Sequence, residues 1–283
     1  MPLGADFAIR TMTRADMDLA VDWAAEEGWN PGRHDAECFY AADPAGYFMA
    51  FLGSEPVGCI SAVAYDENFG FIGFFIVKPR YRGGQVGIRL GEHALHYLGQ
   101  RNIGIDGVEK KVKNYMHHGF TLAGRTIRYK GWGLAGKVAG SLRPVAEVPF
   151  DTLAAYDSRH FPAPRPQFLS RWINQPDSAG FAVQSGPGLA GYGIIRACRQ
   201  GYKIGPLFAD SPEVAETLFL GLVAAIKPGA PVYLDVPHLN AASLRMALGY
   251  RMQPVFVTAR MYKRVLVNLP VHAIFGVTSF ELG

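Results

Sequence analysis

Hydrophobic and polar positions alternate along the first half of the chain in a way that predicts short strands and amphipathic helices. Four segments have the pattern of strands: 7–10, 46–53, 57–64 and 69–77. A helix is predicted to begin at Thr13, where Asp16 completes a capping-box pattern, and another to end near Leu98. The stretch between Gly28 and Gly46 is rich in Gly, Pro and His and predicts a loop. Shorter patterns predict a strand at 104–106, a helix around Tyr115 and a strand over 120–130.

The same order of elements recurs in the second half. Three pairs of glycine- or aspartate-containing stretches match, at offsets of 134, 132 and 130 residues: Asp43 with Asp177, Gly73 with Gly205, and Gly119 with Gly249. Matches in one order at nearly constant spacing indicate a duplicated fold. With 283 residues the chain is long enough for two domains. Because residues 132–149 show no clear periodicity, we predict a linker there and domains at 1–135 and 136–283.

The amino-acid composition indicates which kinds of protein and which binding partners are compatible with the chain. Hydrophobic residues make up 49% and charged residues 18%, which is typical of packed globular domains. The net charge is only +4 without a dense Lys/Arg run, so nucleic acid is a weak alternative partner. Three scattered cysteines suggest neither a disulfide framework nor a zinc site, and we expect a cytoplasmic protein. Residues 1–10 lack a signal-peptide pattern, and the longest apolar stretch, 218–226, is too short to span a membrane.

The two halves differ where a strand meets a helix. In the first half this junction, Pro79–Gly87, is rich in glycine and arginine. Its counterpart, Ala209–Glu213, is acidic, with Ser211 as a predicted helix N-cap. Backbone N–H groups and the helix dipole at a glycine-rich helix start attract anions. A phosphate site is therefore predicted in the first half alone.

The strand and loop of the first half resemble the acetyl-CoA-binding motif of the GNAT superfamily of N-acetyltransferases. Arg82 opens the motif and Gly87 matches its last small residue, while Gln85 stands where the family has a central glycine. The resemblance implies acetyl-CoA as co-substrate. We expect one cofactor for each chain, because only the first half has the glycine-rich loop, and no metal, because the eight histidines lack the spacing of ligands. The implied cofactor-binding residues are Phe75, Ile76, Val77, Arg82, Gly83, Gly84, Gln85, Val86, Gly87 and Ile88.

A second resemblance concerns catalysis. Tyr115, followed by Gly119 and Phe120, is similar to a helix end in GNAT enzymes, whose tyrosine protonates the departing CoA thiolate. Packing in the core is the alternative role for Tyr115, and the family's usual Asn is replaced by Val108. We rank Asp106, after a strand near the expected active site, first as the base that deprotonates the amine. Other carboxylates that could be bases, or solvated charges and caps, are Glu26, Glu27, Asp66 and Glu67.

The whole arrangement looks like that of bacterial tandem GNAT proteins. The resemblance implies an α/β (α+β) protein with two GNAT-like domains, each a mixed, mostly antiparallel sheet flanked by helices. The second domain would form one side of the acceptor site. Its residues Trp172, Arg196 and Tyr202 either line that site or pack in the protein interior. The expected activity is transfer of an acetyl group to a primary amine of a small molecule. A non-catalytic acyl-CoA sensor and an acetyltransferase acting on a protein lysine or N-terminus remain alternatives, and the oligomeric state is open.

Overall fold

The computed structural model describes residues 6–136 and 139–283. The strands of the first half are β1 (Phe7–Thr11), β2 (Tyr47–Leu52), β3 (Glu55–Ala64), β4 (Phe69–Val77), β5 (Asn102–Val108) and β6 (Thr121–Trp132). Its helices are α1 (Arg14–Glu26), α2 (Asp35–Ala42), α3 (Gln85–Leu98) and α4 (Val112–His117). The second half has strands β7 (Arg143–Pro144), β8 (Ser178–Ser185), β9 (Gly188–Ala197), β10 (Tyr202–Ala209), β11 (Pro231–Pro237), β12 (Gln253–Tyr262) and β13 (Ile274–Gly276). Its helices are α5 (Phe150–Asp157), α6 (Pro166–Trp172), α7 (Pro212–Ala224) and α8 (Ala241–Gly249).

The elements predicted for the first half are present, with one exception. At α1 the Thr13 side chain accepts a hydrogen bond from the Asp16 N–H, and the Asp16 carboxylate accepts one from Thr13, as the capping box requires. The predicted loop between Gly28 and Gly46 was wrong in part, because it contains α2. This helix has only eight residues and no side-chain cap. Long-range contacts hold it, because the carboxylate of Asp35 pairs with Arg196 from β9.

The predicted duplication appears as two matching series of elements. The series β2, β3, β4, α3, β5, α4 and β6 is followed by β8, β9, β10, α7, β11, α8 and β12 in the same order. In each series the first three strands pair antiparallel, and the third pairs in parallel with the strand after the long helix. The α/β fold with mostly antiparallel pairing and flanking helices is therefore confirmed.

The two halves exchange their last strands. The sheet order is β1-β2-β3-β4-β5-β12-β6-β11-β10-β9-β8-β7, with β13 beside β10. Strand β12 from the end of the chain thus lies against β5, and β6 lies against β11. Each exchanged contact carries a charged pair in register: Asp106 opposite Arg260, and Arg128 opposite Asp235. The division at residues 135 and 136 remains a proposal, and two residues of the predicted linker, 137 and 138, lie outside the described residues.

Segment 277–283 runs between the two halves. Backbone and side chains on both sides hold it: the Val277 N–H donates to the Asp235 carbonyl, and the Tyr65 hydroxyl donates to the Leu282 carbonyl. The segment passes over Gly73 and Gly205, where any Cβ would collide with the backbone of Glu281 and Thr278 respectively. These two glycines match each other in the repeat, so both halves leave room for this segment.

No helix within residues 6–136 and 139–283 is both long and apolar enough to cross a bilayer.

Candidate active site

Strands β4 and β5 diverge at their carboxyl ends and open a cleft. Their parallel pairing begins at Phe69 opposite Asn102 and ends at Ile72 opposite Ile105, although both strands continue further. Next to the point of divergence, Phe74 has a φ of 44°, and the register between β3 and β4 shifts. This bulge leaves the β5-facing edge of residues 73–77 without a partner strand. Backbone groups of β4 therefore face the cleft rather than a neighbouring strand.

The outer part of the cleft is a groove of about 950 Å³. Its floor is the start of α3, one wall is the end of β4, and the other wall is the turn from β5 into α4. Gly83 has a φ of 75°, and Gly84 caps α3 without any side-chain hydrogen bond. The first N–H groups of a 14-residue helix thus point into the groove without a side-chain cap, which is a favourable site for a phosphate.

Eight of the ten predicted cofactor-binding residues line this groove: Phe75, Ile76, Val77, Arg82, Gly83, Gly84, Gly87 and Ile88. The other two do not. Val86 is buried in the core beneath α3, and the Gln85 side chain is exposed outside the groove wall. Gln85 therefore replaces the family's glycine without blocking the groove. Arg82 donates from Nε to the Val77 carbonyl (2.7 Å) and pairs with Glu27, which holds its guanidinium at the groove edge.

Two lysines opposite the glycine loop belong to the same groove and were missed by the sequence reasoning. Lys110 and Lys111 lie in the turn after β5, and Asn114 follows in α4. Together with Arg82 they face the groove with three cationic side chains, against the two carboxylates of Glu27 and Glu109. Two adjacent lysines between the predicted strand at 104–106 and the predicted helix around Tyr115 were the signal that could have found them. Cations on both walls suit a ligand with several phosphates.

Tyr115 lies where the outer groove meets a second, inner pocket, and it lines both. Its ring packs on β5 at Gly107, where a Cβ atom would overlap the ring. Within the described residues no hydrogen bond engages its hydroxyl, which leaves that group available to a ligand. Burial raises the pKa of Tyr115 above its ordinary value, so the hydroxyl keeps its proton at neutral pH.

The inner pocket has a volume of about 100 Å³, and six of its fourteen lining residues are aromatic. Trp29, Phe74 and Phe75 come from the first half, and Phe256 and Phe280 come from β12 and segment 277–283. Asp106 also lines it, but both of its carboxylate oxygens accept hydrogen bonds from Arg260, at 2.8 and 2.7 Å. This buried pair ties β5 to the exchanged strand β12. The role of Asp106 as base stays a prediction, and its geometry is that of a structural ion pair.

Two polar side chains of the inner pocket have no hydrogen-bond partner among the described residues. They are the hydroxyl of Thr258 on β12 and both carboxylate oxygens of Glu281, and each residue is only 2% exposed. Sequence reasoning missed both, because neither lies near the recognised motifs. A buried polar group without a partner is rare in native proteins and marks a place where a ligand completes the hydrogen bonding.

The side chains predicted as an acceptor-site wall pack in the interior instead. Trp172 is fully buried and donates from Nε1 to the Gly205 carbonyl. The guanidinium of Arg196 stacks on Trp172 (4.2 Å) and pairs with Asp35, while Tyr202 packs against the core of the second half. Of the other base candidates, Asp66 caps a turn, and Glu26 and Glu67 are exposed. Glu27 lines the outer groove, where it pairs with Arg82.

Comparisons with known proteins agree with this geometry. The profile of the "Acetyltransferase (GNAT) family" matches residues 14–120, and that of the "Acetyltransferase (GNAT) domain" matches residues 153–276. The chain belongs to the GNAT acetyltransferases. It carries two of their domains in tandem, which confirms the family predicted from the glycine loop and the tyrosine motif. An acyltransferase activity follows from this membership.

Individual relatives extend over nearly the whole chain. Holothin acyltransferase of Pseudoalteromonas sp. (strain SANK 73390) is 29% identical over 95% of this chain and 92% of its own. The crystal structure of a protein of Pyrococcus horikoshii assigned as an acetyltransferase superposes with a TM-score of 0.84 at 23% identity, covering 100% of this chain and 98% of that one. A tandem GNAT protein from the clavulanic acid biosynthesis pathway superposes with a TM-score of 0.61 at 12% identity, covering 90% and 98%. The two structures show that the tandem fold recurs.

Proposed function

We propose that this tandem GNAT protein transfers an acetyl group from acetyl-CoA to a primary amine of a small molecule by direct attack. The observation that carries the proposal is the position of Tyr115 between two connected spaces. The outer groove has the size and the cations for a long phosphorylated ligand, and the inner pocket is small and apolar. Two reactants entering from opposite sides would meet beside the tyrosine hydroxyl.

The groove residues fit a CoA moiety. The uncapped start of α3 and the glycines at 83 and 84 would hold its pyrophosphate, with Arg82, Lys110 and Lys111 offering charge from both walls. The unpaired edge of β4 would hydrogen-bond the amide groups of the pantetheine arm. Acetyl-CoA supplies the acetyl group as a reactive thioester.

The residues of the chain support the transfer by positioning and by proton donation. The amine nitrogen attacks the thioester carbon, so a C–N bond forms as the C–S bond breaks. Backbone N–H groups at the β4 bulge near Phe74 would polarise the carbonyl oxygen. Tyr115 donates its hydroxyl proton to the leaving sulfur, and the proton that the nitrogen then loses restores the hydroxyl. The products are an amide and the free thiol of CoA.

The small inner pocket favours a small amine, or the amine-bearing end of a larger molecule, and we propose that the reaction takes place in the cytoplasm. The test is release of CoA thiol from acetyl-CoA on addition of a panel of primary amines, with the acetylated product identified by mass spectrometry. Amine-dependent thiol release supports the proposal. Tight acetyl-CoA binding without turnover of any small amine, polyamine or peptide would favour the acyl-CoA sensor instead, and turnover of lysine peptides alone would favour the protein acetyltransferase.

A further inference from the structure

We propose that Glu281 receives the amino group of the acceptor in the inner pocket and acts as the base that takes its proton. We infer further that the acceptor carries this amino group on an apolar body. The inference rests on the proposed function and deepens it, since it names the group that binds the amine. It assigns a catalytic contact to segment 277–283, far from the cofactor loop in sequence.

The first observation is the lack of any partner for a buried charge. Both carboxylate oxygens of Glu281 are buried and accept no hydrogen bond from the described residues. Burying a carboxylate without a partner is strongly unfavourable, so proteins retain one only where something else compensates. The Thr258 hydroxyl beside the same pocket is also unpaired. An ammonium group, which has three donors and no acceptor, would satisfy the carboxylate and the hydroxyl oxygen together.

The neighbouring cations are already engaged by other groups. The guanidinium of Arg128 forms a bidentate pair with Asp235 and donates to the Trp29 carbonyl. The Lys203 ammonium donates to the carbonyl of Asn30 at 2.9 Å. Burial lowers the pKa of Lys203, an effect that the charge of Glu281 partly offsets, so these two groups interact at longer range. The charge of Glu281 also raises the pKa of Arg196, which donates to Asp35 from Nε and Nη2 and whose Nη1 has no partner among the described residues. Glu281 therefore lies near three buried cations but forms no salt bridge with any of them within the described residues.

The backbone around Glu281 is held firmly, as a catalytic group requires. Its own carbonyl lies against Gly73, next to the bulge of β4. On either side, Arg165 donates to the Thr278 hydroxyl at 2.8 Å, and the Leu282 N–H donates to the Ser279 hydroxyl at 3.1 Å. Glu281 is thus held on a fixed backbone and lines the pocket that Tyr115 also lines. A preorganised group of this kind loses little entropy when the substrate binds.

The walls of the pocket indicate the rest of the acceptor. Five aromatic side chains surround the two unpaired polar groups: Trp29, Phe74, Phe75, Phe256 and Phe280. Aromatic faces attract a cationic amine and pack well against apolar carbon, whereas a sugar or a polyhydroxylated molecule would leave its hydroxyl groups unsatisfied there. The acceptor class is therefore an apolar primary amine.

Glu281 and Tyr115 have different roles in proton transfer. Glu281 accepts one proton from the bound ammonium, which frees the nitrogen lone pair for attack on the thioester carbon. The C–N bond then forms and the C–S bond breaks. Tyr115 protonates the departing sulfur and afterwards regains a proton from the nitrogen. The proton on Glu281 leaves to solvent when the product departs. No oxidant, reductant or metal is needed.

The test uses the full chain with benzylamine as the acceptor probe and benzyl alcohol as its uncharged analogue. We expect the wild type to bind benzylamine at least tenfold more tightly than benzyl alcohol, as measured by calorimetry. Glu281→Gln should weaken benzylamine binding by about 10- to 100-fold and lower the rate of acetylation at saturating acetyl-CoA by about 10²- to 10⁴-fold. Its affinity for acetyl-CoA should not change. Its melting temperature should change little, because the variant removes a buried charge that lacks a hydrogen bond but lies near buried cations.

Two further variants make the outcome decisive. Glu281→Asp keeps the charge and should retain part of the activity, and Glu92→Gln on the exposed face of α3 should behave as wild type. A lower melting temperature for Glu281→Gln with full turnover would overturn the proposal and make Glu281 a counter-ion. Equal binding of benzylamine and benzyl alcohol by the wild type would also overturn it.

If amines are acetylated by the wild type and by Glu281→Gln at equal rates, the proposed function stands and this inference fails. If benzylamine binds through Glu281 without thiol release, the amine site stands and the proposed function fails.

Discussion

The carbonyl of Glu281 lies so close to Gly73 that a single added methyl group there would overlap it. Strand β4 therefore carries a glycine at the position where segment 277–283 crosses it. The contact joins the first half to a segment more than 200 residues later in the chain. It makes Gly73 a sensitive probe of how the inner pocket is assembled.

Gly73→Ala should displace segment 277–283 and disturb the pocket. Overpacking of this kind costs about 1–3 kcal/mol, so we expect the free energy of unfolding to fall by that amount and amine turnover to fall with it. Gly91→Ala is the matched control, because nothing lies near its Cβ position within α3. It should stabilise the protein by about 0.5–1 kcal/mol, since alanine favours a helix interior. Denaturant titration measures both, and equal effects of the two variants would contradict the contact.

Arg82→Ala should weaken acetyl-CoA binding without unfolding the protein. Its guanidinium lies at the groove edge and is half exposed, so its loss costs little stability. A charge-assisted hydrogen bond is worth about 1.5–3 kcal/mol, which corresponds to a 10- to 100-fold change in Kd. Arg89→Ala removes the same charge from an exposed position on α3 outside the groove wall and serves as the control. Calorimetry should separate the two variants, and identical affinities would show that Arg82 does not face the phosphates.

Tyr115→Phe should lower kcat by about 10²–10⁴ while the Kd for acetyl-CoA and the melting temperature barely change. The variant removes the hydroxyl and keeps the ring against Gly107. Because burial raises the pKa of Tyr115, its acid form persists at least to the ordinary value of about 10. Loss of the Tyr115 proton should therefore not lower the wild-type rate between pH 8 and 9. Loss of stability with turnover intact would assign the hydroxyl a structural role.

Asp106→Asn separates a structural ion pair from a catalytic base. Removing one partner of a buried pair leaves Arg260 uncompensated, and we expect a loss of about 3–5 kcal/mol in the free energy of unfolding. The double variant Asp106→Asn with Arg260→Met should recover much of that loss and retain turnover. A stable Asp106→Asn protein that binds both substrates but does not react would instead identify Asp106 as the base.

Separate expression of residues 1–135 and 136–283 tests the strand exchange. Each piece alone lacks the strand that completes its sheet, so β5 and β11 would present unpaired edges. We expect each piece to aggregate or to unfold at low denaturant concentration when expressed alone. Co-expression should give a soluble complex that binds acetyl-CoA. A monomeric, cooperatively folded 1–135 fragment would show that the exchanged strand is dispensable.

Features that depend on residues close together in sequence could be predicted without the structure. The capping box at Thr13, the strands of the first half and the glycine loop from Arg82 to Gly87 are local, because turn geometry and helix starts require particular residues at fixed spacing. The repeat could also be read, since matching glycines at positions 73 and 205 serve the same purpose in both halves. Together these features led to the family and to the cofactor side of the site.

The residues that line the inner pocket could be identified only from the tertiary structure. Glu281 and Thr258 reach the pocket because β12 inserts beside β5 and segment 277–283 crosses β4, contacts between residues more than 150 positions apart. The ion pairs Asp106–Arg260 and Asp35–Arg196 could not be predicted for the same reason, because their partners are far apart in sequence. The exchange of β6 and β12 is decided by which charges and side chains meet across the sheet, which no local pattern encodes.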